Sequence, residues 1–352
     1  MARLRPLWLP LVAWLPLLLL TAVQGVAVDG RVRSPFLLDV AVHVRFWISV
    51  PLLLIAENVI DPWLGRVLRH FSDEGFVDGD DLPRLGAALA RAQPSPSAVS
   101  IELALVAFTY ASVFLAARLA SPPESSWRTG SALAEGWYNA VSIPLFQFLV
   151  FRWLWWFGRW CMLLWRISRL RLRLMATHPD DLGGLGFIAV GHAPFALIVL
   201  AVSTVLSAEI GQRMRLAGLS LESYKGPILG FVVASALFVA TPLLAFSGQL
   251  LDAKRRGLLA YGALAFDYAQ SFQAKWIDGA GLKGAVALGN SDIQALSDLQ
   301  NSYGTVRRMR VVMWNRQVLV PVVVAAALPM VPLVLSEVPL SQLARLLVKA
   351  LG

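Results

Sequence analysis

The sequence contains almost no cysteine and little charge. Cys161 is the only cysteine among 352 residues, so the chain can form neither an intrachain disulfide bond nor a zinc site of four cysteines. Charged residues make up 15% of the chain, whereas soluble domains carry about a quarter. Together with 57% hydrophobic residues, this excludes a chain built only of soluble domains.

Several chemical motifs are missing as well. The glycines at 183, 184 and 186 do not form the G-x-G-x-x-G pattern, and no phosphate-binding Lys-Ser/Thr pair follows them. No Gly-x-Ser-x-Gly pattern marks a serine nucleophile, and no two histidines have the spacing of metal ligands. We therefore predict no cofactor and no metal, and we assign no catalytic residue. An enzyme is not excluded, but a protein without enzymatic activity is favoured.

The sequence is rich in apolar runs near the roughly 20 residues that a helix needs to cross a bilayer. We predict an all-α fold, a polytopic transmembrane helical bundle of about seven spans. The fourth helix extends beyond the membrane, and the last run, with three prolines, forms either a kinked span or a re-entrant helix. The helices are expected over residues 7–28, 46–60, 101–120, 137–174, 186–206, 227–247 and 318–335.

The first apolar run has two interpretations. Arg3 and Arg5 precede a Leu-rich stretch, as in a signal peptide. The run is longer than the about 7–15 apolar residues of such a peptide. We favour an uncleaved first span.

The polar segments between the spans indicate helices outside the membrane. Residues 61–100 are predicted to be a loop with a short helix from Pro83 to Ala92. Residues 251–313 are predicted to be a hairpin of two helices, packed on the extension of the fourth span. A leucine stripe over 340–349 predicts an interfacial helix. The chain thus divides into membrane helices over 1–250, the hairpin over 251–313, and a last hydrophobic helix with its interfacial helix over 314–352.

The net charge of +9 is explained by the uneven distribution of Lys and Arg between the segments that separate the spans. It does not indicate a protein that binds nucleic acid. Of the 31 Lys and Arg residues, 20 lie in residues 1–6, 61–100, 159–173 and 254–316, and ten lie in the alternate segments. Because cytoplasmic loops collect Lys and Arg, we expect a multi-pass protein of the bacterial cytoplasmic (inner) membrane with a cytoplasmic N-terminus. Its expected partners are the bilayer with its anionic headgroups and, as an open alternative to a monomer, further copies in a homo-oligomer.

Arginines recur every seventh residue along the fourth helix. Seven residues are nearly two turns, so these side chains share one helix face. The face is interpreted either as a track for an anion or as a set of lipid-phosphate contacts, and the neighbouring tryptophans favour lipid contacts for all but Arg152. The arginines are Arg152, Arg159, Arg166 and Arg173, with Arg169 close to the same face.

The segment HPDDLGGLGF over 178–187 combines titratable groups with glycines. Three interpretations are open: a turn capped by Thr177 or Asp180 before a close-packed helix, a site for an ion or headgroup at exposed N–H groups, or a catalytic acid–base site. The residues concerned are His178, Asp180, Asp181, Gly183, Gly184 and Gly186.

Four ionisable residues are expected near one depth in the membrane. His192 lies one to two turns inside the fifth span, level with Arg152, and Glu57 and Asp61 share a face at the end of the second span. Ionisable residues inside a membrane commonly mark a pathway. The alternatives are a hydrogen-bonded buried histidine and a structural ion pair.

Three segments carry a family resemblance: HPDDLGGLGF (178–187), SPFLLDVAVHVRF (34–46) and SDIQALSDLQNSY (291–303). Over most of its length the chain resembles a family of bacterial integral membrane proteins of unassigned function. The resemblance implies a compartment and an architecture, and no activity.

The sequence therefore favours a protein of the channel or transport type that conducts a small ion, with an anion slightly preferred. One alternative is a membrane-embedded enzyme that acts on a lipid or headgroup through His178, Asp180 and Asp181. The other is a non-catalytic scaffold that recruits a partner through residues 251–313.

Overall fold

The computed structural model of the chain is a bundle of helices. It describes residues 5–28, 32–92, 98–119, 126–278, 291–314 and 316–337. Within these ranges the backbone forms helices, turns and two isolated β-bridges, without a named strand. The predicted all-α class is confirmed. The interfacial helix predicted over 340–349 lies outside the described residues.

Six candidate spans are long and apolar enough to cross a membrane, and a shorter apolar helix precedes them at Trp8–Val23. The six are α2, α4, α5, α6, the consecutive helices α7 and α8, and α10. The helices are α1 Arg5–Val23, α2 Val40–Asp73, α3 Leu82–Ala92, α4 Ala98–Leu119, α5 Ala132–Ile167, α6 Gly186–Ala217, α7 Lys225–Ala240, α8 Ser247–Trp276, α9 Ser291–Arg308 and α10 Arg316–Ser336.

Helix α2 is longer than the sequence indicated. The predicted loop over 61–100 begins only after Asp73, because the helix continues for three more turns. Its apolar stripe also continues: Ile60, Val67 and Phe71 are buried at helical spacing. At 1.5 Å per residue, its 34 residues span about 50 Å, so its final turns extend past the about 30 Å hydrocarbon core.

Helix α5, in contrast, ends earlier than predicted. It stops at Ile167, and residues 168–174 turn back instead of continuing the helix to residue 174. Leu172 forms an antiparallel β-bridge with Val77, supported by a hydrogen bond from the Arg173 N–H to the Phe76 carbonyl at 2.8 Å. The sequence signal was the Arg-Leu alternation over 171–174, which has the period of a strand.

Helix α6 also extends beyond its predicted end at residue 206. It continues to Ala217 and stops at Gly218, whose φ of 65° is the left-handed conformation that commonly closes a helix. Helix α10 bends at Leu328–Met330, around Pro329. The hydroxyl of Ser207 donates to the Pro329 carbonyl, so a backbone acceptor next to the bend is satisfied inside the bundle.

Helices α8 and α9 form the predicted hairpin. Asp292, in the first turn of α9, accepts from the Lys275 ammonium at 2.6 Å and from the Trp276 indole at 3.1 Å, both in the last turns of α8. The hairpin packs on the segment after α5 and not on a helical extension: the amide of Gln249 donates to the Ser168 and Leu170 carbonyls at 2.6 and 2.8 Å.

The alternating spans give the bundle two ends. The hairpin end holds the last turn of α2, helix α3, residues 168–185 and the α8–α9 hairpin. The opposite end holds the entry to α2, the entry to α5 and the end of α6. Buried side chains of α2, α5 and α6 make up much of the core between the two ends.

Candidate functional site

An ion pair joins α2 and α5 near the hairpin end. The Arg152 guanidinium donates to both carboxylate oxygens of Glu57, at 2.9 and 3.2 Å. One turn before Glu57 on α2, the Leu53 carbonyl accepts a hydrogen bond from the Trp153 indole at 2.9 Å. This bond holds the same two helices together. A structural ion pair is one of the alternatives open for the four ionisable residues, and the structure brings these two side chains together.

Two cavities lie close to this pair and meet at Asp61 and Trp156. The first, of about 10 Å³, is lined by Glu57, Asp61, Arg152, Trp153 and Trp156, and it has room for about one water molecule. The second is a groove of about 450 Å³ that shares Asp61 and Trp156 and continues toward the hairpin end. Its other lining residues are Leu64, Gly65, Leu68, Arg69, Ser72, Leu89, Arg159, Trp160 and Leu163.

His192 lies apart from these cavities. It is fully buried, with its Nε2 atom 3.2 Å from the Trp160 indole nitrogen and its Nδ1 atom 2.9 Å from the Ile188 carbonyl. Because an indole N–H only donates, Nε2 accepts and Nδ1 carries the proton to Ile188. Both ring nitrogens are satisfied, so the geometry favours a hydrogen-bonded buried histidine over a pathway residue.

The turn over 178–186 is organised by Asp180. Its carboxylate accepts from the N–H groups of Leu182, Gly184 and Gly186 at 2.8, 3.1 and 2.8 Å. His178 Nδ1 lies 2.8 Å from the same carboxylate. Burial raises the pKa of Asp180, but the backbone N–H groups and His178 lower it further, so the pKa lies below its usual value. The N–H groups at the start of α6 are thus occupied by an internal anion.

Backbone conformation and close packing explain why glycines occupy this turn. Gly183 and Gly184 have φ values of 64° and 97°, which side chains other than glycine rarely adopt. A Cβ atom on Gly184 would lie 2.6 Å from the Phe76 ring. Asp181, with φ of 56°, offers its carbonyl to the Arg310 N–H at 2.7 Å. None of the cavities named here is lined by these residues, and the arrangement supports the capped-turn interpretation.

The predicted arginine face is only partly realised. Arg152 and Arg159 line the two cavities at the α2–α5 contact, and Arg166 lies on the last turn of the helix, 3.4 Å from the Met162 sulfur. Placing Arg169 and Arg173 on that face was wrong, because α5 ends before them. Arg169 lies over the Trp165 ring, and Arg173 pairs with Asp78 at 2.9 Å.

A third cavity, of about 440 Å³, lies at the opposite end of the bundle and was not anticipated. Beside it, the buried Arg45 donates hydrogen bonds to the Tyr138 hydroxyl and to Glu209. Arg45 and Tyr138 each begin a π-helical turn, Arg45–Ser49 in α2 and Tyr138–Ser142 in α5. Such turns are frequent at functional sites. The polar lining comprises Ser34, Asp39, Ser126, Arg128, Glu135, Tyr138, Asn139, Gln147, Glu209, Gln212 and Arg213.

A sequence signal for this third cavity existed. Arg45 lies within an apolar run, VAVHVRFWISV, but the second span is predicted to begin only at residue 46 and the fifth to end at residue 206, before Glu209. In the structure α2 begins at Val40 and α6 extends past Glu209, so both charges fall within helices and meet. Their pairing depends on packing between helices far apart in the sequence.

The helices and the charged groups between them define an integral membrane protein with several spans. Among the residues that the structure describes, no three His, Cys, Asp or Glu side chains converge to hold a metal ion. Comparisons of the chain with family models, curated proteins and solved structures found no match. Membership of the class therefore rests on the chain's own helices.

Proposed function

We propose that the protein is of the transport type and that a small charged solute moves along the contact between α2 and α5. One observation carries this proposal: the same two helices, with Asp39 capping α2, line all three cavities. Asp39 and Tyr138 line the cavity at the opposite end, and Glu57 and Arg152 line the small cavity near the hairpin end. Arg69 and Arg159 line the groove beyond it.

The path is closed in this structure. Along α5 the cavity at the opposite end reaches Gln147, and the small cavity begins at Arg152; five helical residues correspond to about 7.5 Å. The bond from Trp153 to Leu53 and the Arg152–Glu57 pair hold α2 against α5 beyond that point. Passage of a solute therefore requires these helices to separate, and the ion pair is the proposed gate.

Reconstituted protein tests this proposal. In a Cys161→Ser background, Glu57→Cys and Arg152→Cys are bridged with a bifunctional thiol reagent that is cleaved by reduction. We expect flux across liposomes to stop when the bridge forms and to return on reduction. The tracers are chloride, potassium, protons and labelled amino acids.

The matched control is Arg84→Gln, which removes the exposed Arg84 from its ion pair with the buried Asp81, away from the α2–α5 contact, and should leave flux unchanged. Absence of flux for every tracer, or flux through the bridged protein, would contradict the proposal.

A scaffold function is a second candidate, and one observation favours it. Leu259 and Phe266, seven residues apart on α8, are 76% and 63% exposed, and apolar side chains that share an exposed face are typical of docking surfaces. Replacing both with serine should lower the oligomeric mass measured by light scattering if copies of the chain associate there. An unchanged mass would count against homo-oligomerisation through α8.

The family resemblance stays a proposal, as does the bacterial cytoplasmic membrane that it implies. The lipid-acting enzyme loses support, because the Asp180 carboxylate is bonded to the backbone of its own turn.

A further inference from the structure

We propose that the cavity at the opposite end binds a small zwitterion, a solute with one carboxylate and one ammonium group. This inference rests on the proposed transport function and names the class of its solute. At about 440 Å³, the cavity falls within the range of sites for small ligands.

Polar atoms without partners gather at this cavity. Buried polar groups in proteins are almost always hydrogen-bonded, and each exception calls for an explanation. Within the described part of the chain, eight buried side-chain atoms lack a partner, and four of them lie at this site. They are Arg45 Nε, Ser126 Oγ, Arg128 Nε and Gln212 Oε1. Three of these side chains, Ser126, Arg128 and Gln212, also line the cavity, and Arg45 lies beside it.

Arg128 and Glu135 provide a pair of opposite charges at the cavity that share no direct hydrogen bond. Their closest atoms are 3.8 Å apart, too far for a hydrogen bond. Arg128 also lies over the Tyr138 ring, which fixes its guanidinium beside the cavity. A carboxylate on the Arg128 side and an ammonium on the Glu135 side would each gain a charge-assisted hydrogen bond.

The balance of charge selects a zwitterion over a simple ion. The lining carboxylates are those of Asp39, Glu135 and Glu209, and the lining cations are Arg128 and Arg213. The buried Arg45, outside the lining, pairs with Glu209, and with it the charges of the two signs balance. A single anion or cation would pair only with the lining groups of opposite charge, whereas a zwitterion pairs with groups of both signs.

Binding to the purified full-length protein tests the inference by calorimetry and thermal shift. Glycine, L-alanine and L-glutamine are the zwitterions, and propionate and ethylammonium are the matched single charges. We expect at least one zwitterion to bind about tenfold more tightly than propionate or ethylammonium. Arg128→Lys, which keeps the charge but loses Nε, and Ser126→Ala should each weaken that binding by about three- to tenfold.

The controls are Ser271→Ala in the hairpin and Arg84→Gln on α3, which should not change binding. If none of the three zwitterions binds more tightly than the single charges, the inference is overturned. Chloride or potassium flux without zwitterion binding would refute the zwitterion site and leave the transport proposal standing. Zwitterion binding without any flux would refute the transport proposal and leave the zwitterion site standing.

Discussion

At the scale of single residues, Asp180 shows how a charged side chain serves the fold. A carboxylate that accepts three backbone N–H bonds replaces the hydrogen bonds that the start of α6 would otherwise lack. It also fixes the turn whose next residue, Asp181, accepts from Arg310 after the hairpin. The turn that this side chain organises thus connects the membrane helix to the hairpin.

We predict that Asp180→Asn destabilises the protein by about 2 kcal/mol, since the amide keeps one acceptor oxygen and loses the charge. The pKa of Asp180 is lowered by folding. Its stabilising contribution is therefore fully present above the unfolded pKa of about 4 and is lost as the pH falls through the lower folded pKa. Thermal unfolding in detergent across this acidic range should show a weaker pH dependence in the variant.

Asp181→Asn is the control for this variant, because Asn tolerates the left-handed conformation and the hydrogen bond to Arg310 uses the backbone carbonyl. Equal destabilisation by the two substitutions would contradict the role given to the Asp180 carboxylate.

At the scale of elements, close contact between α8 and the segment after α5 depends on a glycine. A Cβ atom on Gly257 would lie 2.6 Å from the Ala176 Cβ atom and 3.0 Å from Val306. The approach is thus closer than any other residue permits. The hairpin is positioned by this contact and by the hydrogen bonds of Gln249.

Gly257→Ala is therefore expected to push α8 away and to destabilise the protein by about 1–3 kcal/mol. Gly262→Ala, on the same helix, meets only Tyr303 at 3.7 Å and should stabilise the helix by up to about 1 kcal/mol. Hydrogen exchange of residues 168–185 is the measurement. Faster exchange in both variants, or in neither, would be inconsistent with the packing described.

The element scale also shows what the apolar pattern could predict. The existence of α2, α5 and α6 followed from the length of their apolar runs, but their ends did not. The end of α5 was decided by pairing of Leu172 with Val77, almost 100 residues earlier in the chain. Local periodicity does not report such a distant partner.

At the scale of the whole molecule, the two ends of the bundle differ in charge and shape. The more basic segments, including residues 159–173, 254–278 and 291–310, gather at the hairpin end. Under the positive-inside rule, we propose that the hairpin end is cytoplasmic and that the zwitterion cavity opens on the other side.

Thiol labelling tests this orientation. In the Cys161→Ser background, Asp298→Cys on α9 and Ser223→Cys before α7 place single exposed cysteines at opposite ends. A membrane-impermeant maleimide added to intact cells should label the cysteine at 223 and spare that at 298. Inside-out vesicles should give the reverse pattern. Labelling of both positions from one side would refute the topology.

The sequence alone determined the class, because apolar runs of span length have no stable alternative to helices in a bilayer. It also suggested the Arg152–Glu57 pair, since both charges lie near one depth. Tertiary structure decided which charges face an open space. His192 is enclosed between Trp160 and Ile188, whereas Arg45 meets Glu209 and Tyr138 beside the cavity at the opposite end. The reason is geometric: depth in the membrane follows from position along a helix, but the neighbours of a side chain follow from how separate helices pack.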